Sequence, residues 1–537
     1  MIRSPELVCK ILEQSKGTRQ HWEPHWQEIG DYMVPRKNDI NNFKSPGTKR
    51  NLQIYDNTGM NSVETLTGML HGTLINPMSE FFEMTTGDYE LDQDPEVRHW
   101  QQDSTSRMHR ILNNSNFQTE SYEYMLDLVS FNTAAQTILE DENKIVFFQT
   151  HYLKEIYIRE DSRGSVNELD VVNSKTARDL VEEYGKENCP KWVLEALEKN
   201  SEEKFELIQS IYPCDHVSGK KDKKFRFPIV SQHILTRDKH QLRLAGFEER
   251  PWNASRWAKA SGETYGRGPG MNALPAVKLV NLMEEVSIKG AQLTIAPPVQ
   301  MPDDGYGKLR VKPYGVNHYR AGSKDRIETI FGDTRIDYSI EIMNAHRQRI
   351  EKSFYVDQVQ LPQKLDRATR EEIVTRNDQG GRFLGPLLSR MDVEWLGPTF
   401  DRAFGICYRR KQFLPVPRKL EGRPVYAKFS SAIAKLQRMG EVRNLLEFYN
   451  TLSPLAAIDP RVVQIIDPDA SAYGIAHMMS YPQKFLRTPD ALKKLREQEA
   501  ALAEERAKAE QEMHQAEVAN KTAPAVTAAQ QVAQQGV

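Results

Sequence analysis

The sequence predicts a mainly helical α+β protein, and three observations carry that prediction. Apolar residues recur at a spacing near four through the first 132 positions, as in helices that bury one face. From Gln136 to Val172 the spacing shifts to two, the period of strands. Beyond Gly270, two long helical segments of matched length flank an insert rich in Gly and Pro. At 537 residues the chain is too long for one core, so about three or four structural units are expected.

In order, "SPELVCKILEQ" opens the first helix, with Ser4 as cap and Pro5 at the first helical position. Trp22, Trp26 and Ile29 continue a helical stripe up to Pro35. "DNTGMNSVETLTGMLHGTLI" is the next helix, with Val63, Leu66, Met69 and Leu70 on one side. A helix over Glu96 to Asn113, with Trp100 and Met108 among its few apolar residues, and one over Ser121 to Asn132 follow. The β-rich runs of 136–172 are cut by Glu-Asp-Glu-Asn and Ser-Arg-Gly turns, which predicts a small antiparallel sheet. Glu140, Asp141 and Glu142, with Lys144, have the residue types of a nuclease carboxylate cluster, but their place at a hairpin turn reads as solvated charge. "SKTARDLVEEYG" and "PKWVLEALEKNSE" are short helices. "FELIQSIYPC" and "FRFPIVSQHIL" are strands, joined by the basic loop "DHVSGKKDKK", read as a solvated turn.

Composition narrows the function. The chain is 39% hydrophobic and 27% charged, with a formal net charge of -2, so no bulk basic excess marks a tight nucleic-acid binder. Cys9, Cys189, Cys214 and Cys407 are far apart and form no C-x-x-C pair, which points to reduced thiols rather than a zinc site or disulfide framework. "MIRSPELVCKILEQ" lacks the apolar core of a signal peptide, and no apolar run is long enough to cross a bilayer. Assembly in the cytoplasm, with no membrane partner, is the expectation.

"GETYGRGPG", Gly262 to Gly270, has the look of a phosphate cradle. A dinucleotide loop needs a buried strand before its glycines, and "ASRWAKAS" does not read as one. A P-loop needs Gly-Lys-Ser/Thr, which is missing, and Pro269 removes a backbone donor. The expectation is a tight turn that launches a helix, with no cofactor, no metal site and no catalytic residue. That helix, "NALPAVKLVNLMEEVSIKGAQLTIAPP", starts with Asn272 as cap and Pro275 in its first turn. Residues 273–296 span roughly 36 Å at the rise of a helix. "DTRIDYSIEIMNAHRQRIEKSFYV" is its match, capped by Asp333 or Thr334. A long ordered insert between the far ends of two such helices is usually functional.

At this point the chain resembles the bacteriophage portal proteins, or head-to-tail connectors, of short-tailed phages. The resemblance rests on "HWEPHWQEIGDYMVPRK", "YDNTGMNSVETLTGMLHGTLINP", "LKEIYIREDSRGSVNELDVVNSKTARDLVEEYG" and "GFEERPWNASRWAKASGETYGRGPGMNALPAVKLVNLM", and runs from about residue 10 to 480. The last run is the most specific. The resemblance implies a homo-oligomeric ring, dodecameric in the mature particle. It implies a wing over 1–270, a first stem helix over 271–296, a clip over 297–333 and a second stem helix over 334–356. A tunnel loop over 357–367 and a long kinked wing helix over 368–424 follow, with breaks at Gly380-Gly381 and near Gly397-Pro398. A helical crown covers 425–488, and a charged C-terminal helix and low-complexity tail cover 489–537.

A portal is a passage and not an enzyme. The family implies double-stranded DNA in the channel, a terminase motor, major capsid and scaffolding proteins, and tail or adaptor proteins as partners, in the virion. A ring multiplies each charge, so a channel must avoid holding DNA. From Arg347 to Arg376 positive and negative residues interleave, which suits that need, although for most of them a solvated face or ion pair is the plain reading. Gln358, Gln360, Gln363, Lys364 and Arg367, in the implied tunnel loop, are the DNA-channel candidates. The competing readings are a virion adaptor or scaffolding protein without a channel, and a DNA-processing enzyme. The first would lack the helix–insert–helix plan, and the second would need a phosphate loop or metal carboxylates.

Overall fold

Local sequence starts the first helix as expected. In the computed structural model, the Ser4 side chain accepts from the Leu7 amide and Pro5 holds the first helical position of α1 (Pro5–Arg19). The structure describes residues 2–51, 53–78, 80–214, 225–295, 299–300, 328–329, 336–356, 385–429, 442, 445–452, 454, 466–478, 487, 491–510 and 513. The described residues of 1–92 and 100–437 form one compact unit, and those of 93–99 and 438–537 form another.

Along the chain, α2 (Glu23–Tyr32) and α3 (Thr58–Leu74) precede strand β1 (Phe82–Thr85) and the short α4 (Tyr89–Gln93). α5 (Pro95–Asn114) and α6 (Phe117–Ser130) follow, in agreement with the period-four reading. The strands divide into two main antiparallel sheets. One has the order β3 (Ile145–His151), β2 (Thr133–Asp141), β9 (Trp252–Arg256). The other runs in chain order through β4 (Ile156–Glu160), β5 (Val166–Thr176), β6 (Lys204–Pro213), β7 (Ile229–Leu235) and β8 (His240–Phe247).

Each sheet is covered by helices. Val8 and Leu12 of α1 pack with Ile208, Tyr212, Val230 and Ile234 on one face of the five-stranded sheet. On the other face, α7 (Ala177–Tyr184) and α8 (Lys191–Lys199) bring Leu180 and Val193 against Phe205, Leu207 and Leu235. α7 starts with a complete capping box from Thr176 and Asp179. The three-stranded sheet lies in the main core with α3, α6, Trp26, Phe117 and Trp395. Its edge strand β3 is closed by side chains of α6 and its cap. The Asn116 amide donates to the Phe148 carbonyl at 2.7 Å and accepts its N–H at 2.9 Å, and Glu120 accepts from the Thr150 N–H at 2.8 Å. Glu140 and Asp141 do sit at the β2–β3 hairpin, where Arg410 donates to Glu140 at 2.6 Å.

Three expectations are corrected. A fully buried strand, β9, does precede the glycine cluster; its Asn253, Ser255 and Arg256 hid it from an apolar pattern. The long helix α9 (Pro269–Ile295) begins at Pro269 rather than after Asn272, so Pro275 lies inside it. The helix after residue 384 spans 385–391, widens into a π-turn over Asp392–Leu396, and continues as α11 (Gly397–Arg409). It stops there instead of running to 424: Lys411 takes a left-handed φ of 54°, and Pro415 and Pro417 cannot extend a helix. The break near Gly397-Pro398 is this π-turn, since a proline ring in a normal turn clashes with the carbonyl four residues back. Strand β12 (Tyr426–Phe429) pairs with β1.

The second long helix is α10 (Ile336–Ser353), and β10 (Val299–Gln300) pairs with β11 (Glu328–Thr329) between the two. In the second unit, α12 (Pro468–Met478) and a helix over 491–510 are joined by a two-pronged Arg496–Asp469 pair at 2.5 and 2.8 Å.

Candidate functional site at the root of the long helix pair

The glycine cluster is where the sheets hand over to α9. Gly266, Gly268 and Gly270 alternate along the backbone, and all three press on the end of α6. A Cβ on Gly266 would meet the Asn132 carbonyl oxygen at 2.1 Å, one on Gly268 the Asn132 Oδ1 at 2.4 Å, and one on Gly270 the Ser130 carbonyl oxygen at 1.9 Å. No side chain fits at such separations, so backbone approach is the physical reason for glycine here. Asn132 itself takes a left-handed φ of 64° just past the helix end, a conformation asparagine tolerates. Two of the turn's donors are used: Gly266 N–H donates to Thr133 Oγ1 at 2.9 Å and Arg267 N–H to the Ala258 carbonyl at 2.9 Å.

A buried arginine ties the turn to distant segments. Arg256, at the end of β9, donates through its backbone N–H to Glu394 Oε2 at 2.9 Å and through Nη2 to Glu394 Oε1 at 2.6 Å. Its other arm pairs with Glu160 at the end of β4, and Nη2 also reaches the Gly164 carbonyl at 3.1 Å. Lys259 joins the same Glu160 at 2.9 Å. The π-turn is what presents Glu394, and it is braced by Trp395 stacked on Tyr124 at 5.0 Å and by Asn253 donating to Thr399 at 2.8 Å. From the other side, Trp26 meets Tyr265 edge-on at 5.0 Å, and the Arg267 guanidinium lies over Trp22 at 4.9 Å.

Above the turn, the first half of α9 is clasped. Ala273, Leu274, Val277 and Val280 are buried in the main core with Ile350 and Phe354 of the α10 segment. Asn281 accepts from the Tyr55 N–H at 2.7 Å and donates to the Gln53 carbonyl at 2.8 Å, which lashes the segment before α3 to α9. Arg347 of α10 donates to Asp56 at 2.9 Å and to Glu284 of α9 at 3.0 Å. A similar clamp holds α11: burial alone would raise the Glu249 carboxyl, but Arg409 and Arg402 hold it below its ordinary range. Gly405 leaves the room, since a Cβ there would meet Glu249 Oε1 at 2.2 Å.

Of the residues singled out from sequence, Arg347 and the glycines enter this joint. Arg349 and Lys352 lie on the outer side of α10, exposed. Gln358, Gln360, Gln363, Lys364 and Arg367 lie outside the described residues, as do Asp333, Thr334, most of 297–333 and the loop lysines of 215–224. Sequence reasoning missed Glu160, Glu394, Asn132 and Asn281; their partners are tens to hundreds of positions away, and the only local signal is Arg256-Trp257 beside the glycines. Among the described residues no cluster of His, Cys, Asp and Glu fits a metal ion, and no helix is long and apolar enough to cross a membrane.

The joint lies within the residues that comparison with known proteins matches. Residues 6–486 match the family described as bacteriophage head to tail connecting protein. The chain is 27% identical over 510 residues to a probable portal protein of Bordetella phage BPP-1, covering 92% of this chain and 91% of that protein. It is 25% identical over 515 residues to the portal protein of Salmonella phage epsilon15, covering 93% and 92%. A match over that length includes both sheets, the glycine joint and the long helices, and the chain belongs to the bacteriophage head to tail connecting protein family.

Proposed function

We propose that this chain is the subunit of a phage portal: a closed ring, dodecameric in the particle, set at one capsid vertex. DNA enters and leaves through its channel, and the tail attaches to it. The observation that carries the reading is the family match over residues 6–486, together with a long helix pair rooted in a buried joint. Residues 1–270 are the wing, α9 and α10 the stem, 297–333 the clip, 357–367 the tunnel loop and 425–488 the crown. The ring meets capsid, scaffolding, tail and terminase proteins, and it belongs to the virion. Its role is structural, with ATP turnover supplied by the separate motor.

The physics of the stem supports a passage. A subunit added to a ring must use two different patches, since like-with-like contacts close at two copies. A channel charge is repeated in every subunit, so the near-neutral balance of the chain, at -2, limits the hold on DNA. Native mass measurement and negative-stain images of the purified chain test this: closed rings with a central hole are expected, and monomers at every salt and protein concentration would refute it. In the tunnel loop, replacing Lys364 and Arg367 together by Ala should leave rings intact and change the DNA content per particle. Unchanged content would remove both side chains from the DNA path, and failed assembly would assign them to a subunit contact.

A further inference from the structure

The outer strands of the two main sheets are not treated alike. Asn116 and Glu120 take backbone groups of β3, Glu394 takes the Arg256 N–H of β9, and Arg19 donates to the Ile156 carbonyl of β4 at 2.6 Å. β8 has β7 on one side, and no described group outside β7 bonds to the backbone of residues 243–247. A bulge at Leu242 disturbs the start of the strand, but from Arg243 to Phe247 its register with β7 is regular.

That register fixes which face each side chain takes, since directly opposed residues share a face. Leu244 lies opposite Gln232, which bonds to Arg3 and Tyr212 on the α1 face, and Gly246 lies opposite Val230 on the same face. Phe227 comes over Gly246, where a Cβ would meet its ring at 2.4 Å. Leu244 and Phe227 are 38% and 36% exposed. Arg243 lies opposite His233, which faces Tyr184 of α7, so it takes the other face; it is exposed, and no described carboxylate pairs with it. Exposed Lys239 precedes β8, and exposed Arg226 lies just before β7, at the opposite end of the pair.

We propose that the β8 edge is a docking site for an extended segment of a different protein, whose side chains alternate between apolar and acidic. The segment pairs with residues 243–247 as an added strand. Its apolar side chains meet Leu244 and Phe227 on the α1 face, and its carboxylates meet Arg243 on the α7 face. Backbone hydrogen bonds supply the hold, and the alternation selects the partner. The same cations argue against a second copy of β8 as occupant. Two such edges side by side would gather Arg226, Lys239 and Arg243 of both copies, and like charges across a strand pair are destabilising.

Peptide binding to the full chain tests this. The probe is the fluorescent peptide Ser-Val-Glu-Val-Asp-Val-Ser, followed by anisotropy. Saturation is expected below about 1 mM, with slowed amide exchange confined to residues 243–247. Two analogues carry backbone N-methyl groups, one on the Val residues and one on Glu and Asp, and so block opposite edges of the peptide. One of them should lose binding and the other should bind as the parent peptide does. Arg243→Glu should weaken the acidic peptide about tenfold or more, with the protein's melting temperature unchanged. No saturation, equal binding of both analogues, slowed exchange elsewhere, or an unchanged affinity in Arg243→Glu overturns the proposal. Slowed exchange of the same amides without peptide, growing with protein concentration, makes a second copy the occupant and overturns it too. If Arg243→Glu does not fold, the two analogues decide the case on the parent chain.

Discussion

The two halves of α9 live under different rules. From Pro269 to Asn281 the helix is fixed by its own chain: glycine backbone against Ser130 and Asn132, a buried core below, and the Asn281 lashing above. From Leu282 to Ile295 the same helix shows Leu282, Val286, Ile288 and Ile295 to solvent and has α10 as its packed neighbour among the described residues. Helices in isolation are marginal, and most of their stability comes from packing one face. The lower half can therefore hold its direction through contacts within its own chain, whereas the upper half relies on fewer of them.

The sharpest way to break this comparison is to load the root. Gly270→Val drives a branched side chain into the Ser130 carbonyl and should cost more than about 4 kcal/mol, beyond the usual range of single substitutions. A urea midpoint equal to the parent's would show that close approach does not fix the root. Next, Arg256→Met leaves Glu394 and Glu160 without their buried partner and should cost about 3–5 kcal/mol in the same titration. Adding Glu394→Gln should recover part of that loss, as coupled partners do.

Acid probes the sheets under the root. Burial pushes His151, in the three-stranded sheet, and His233, in the five-stranded sheet, down to about 4. Unfolded histidine titrates near 6.5, so above that pH neither residue affects stability. As pH falls from about 6.5 toward 4 the unfolded chain binds the extra protons, and stability should drop by up to ~3 kcal/mol for each histidine. His151→Gln should flatten part of that slope between pH 6.5 and 4.5; an unchanged slope would mean that His151 is not held neutral.

Smaller effects separate the halves further. Asn281→Ala should cost about 1–2 kcal/mol and speed amide exchange at Tyr55 and Asp56, whose N–H groups it leaves without their acceptor. In the upper half, a Cβ added to Gly290 would enter open space, so Gly290→Ala should stabilise the helix by about 0.5–1 kcal/mol. A loss there instead would mean that the upper half is packed already in the monomer.

The legible part of the fold was the local part. Ser4 and Pro5 announced α1, and the period of two announced strands, because caps and periodicity act over a few residues. β9 was illegible because its inward residues Asn253, Ser255 and Arg256 are polar, their partners being Thr399, Tyr124 and Glu394 far along the chain. The start of α9 was misjudged for a related reason: Asn272 is a good cap locally, but the contact of Gly270 with Ser130 starts the helix earlier. The glycine cluster stood out in the sequence, yet the contact that requires it, the end of α6, is more than a hundred positions upstream.

The stitch on β3 bears on how one copy of the chain meets another. An open strand edge is a template on which a second strand can grow, and any two copies of one protein offer each other the same template. Asn116 imitates one residue of a missing neighbour strand, giving and taking a hydrogen bond at Phe148, and Glu120 occupies the next free donor. Two side chains thus occupy edge groups of β3 that would otherwise be open to a strand from another copy.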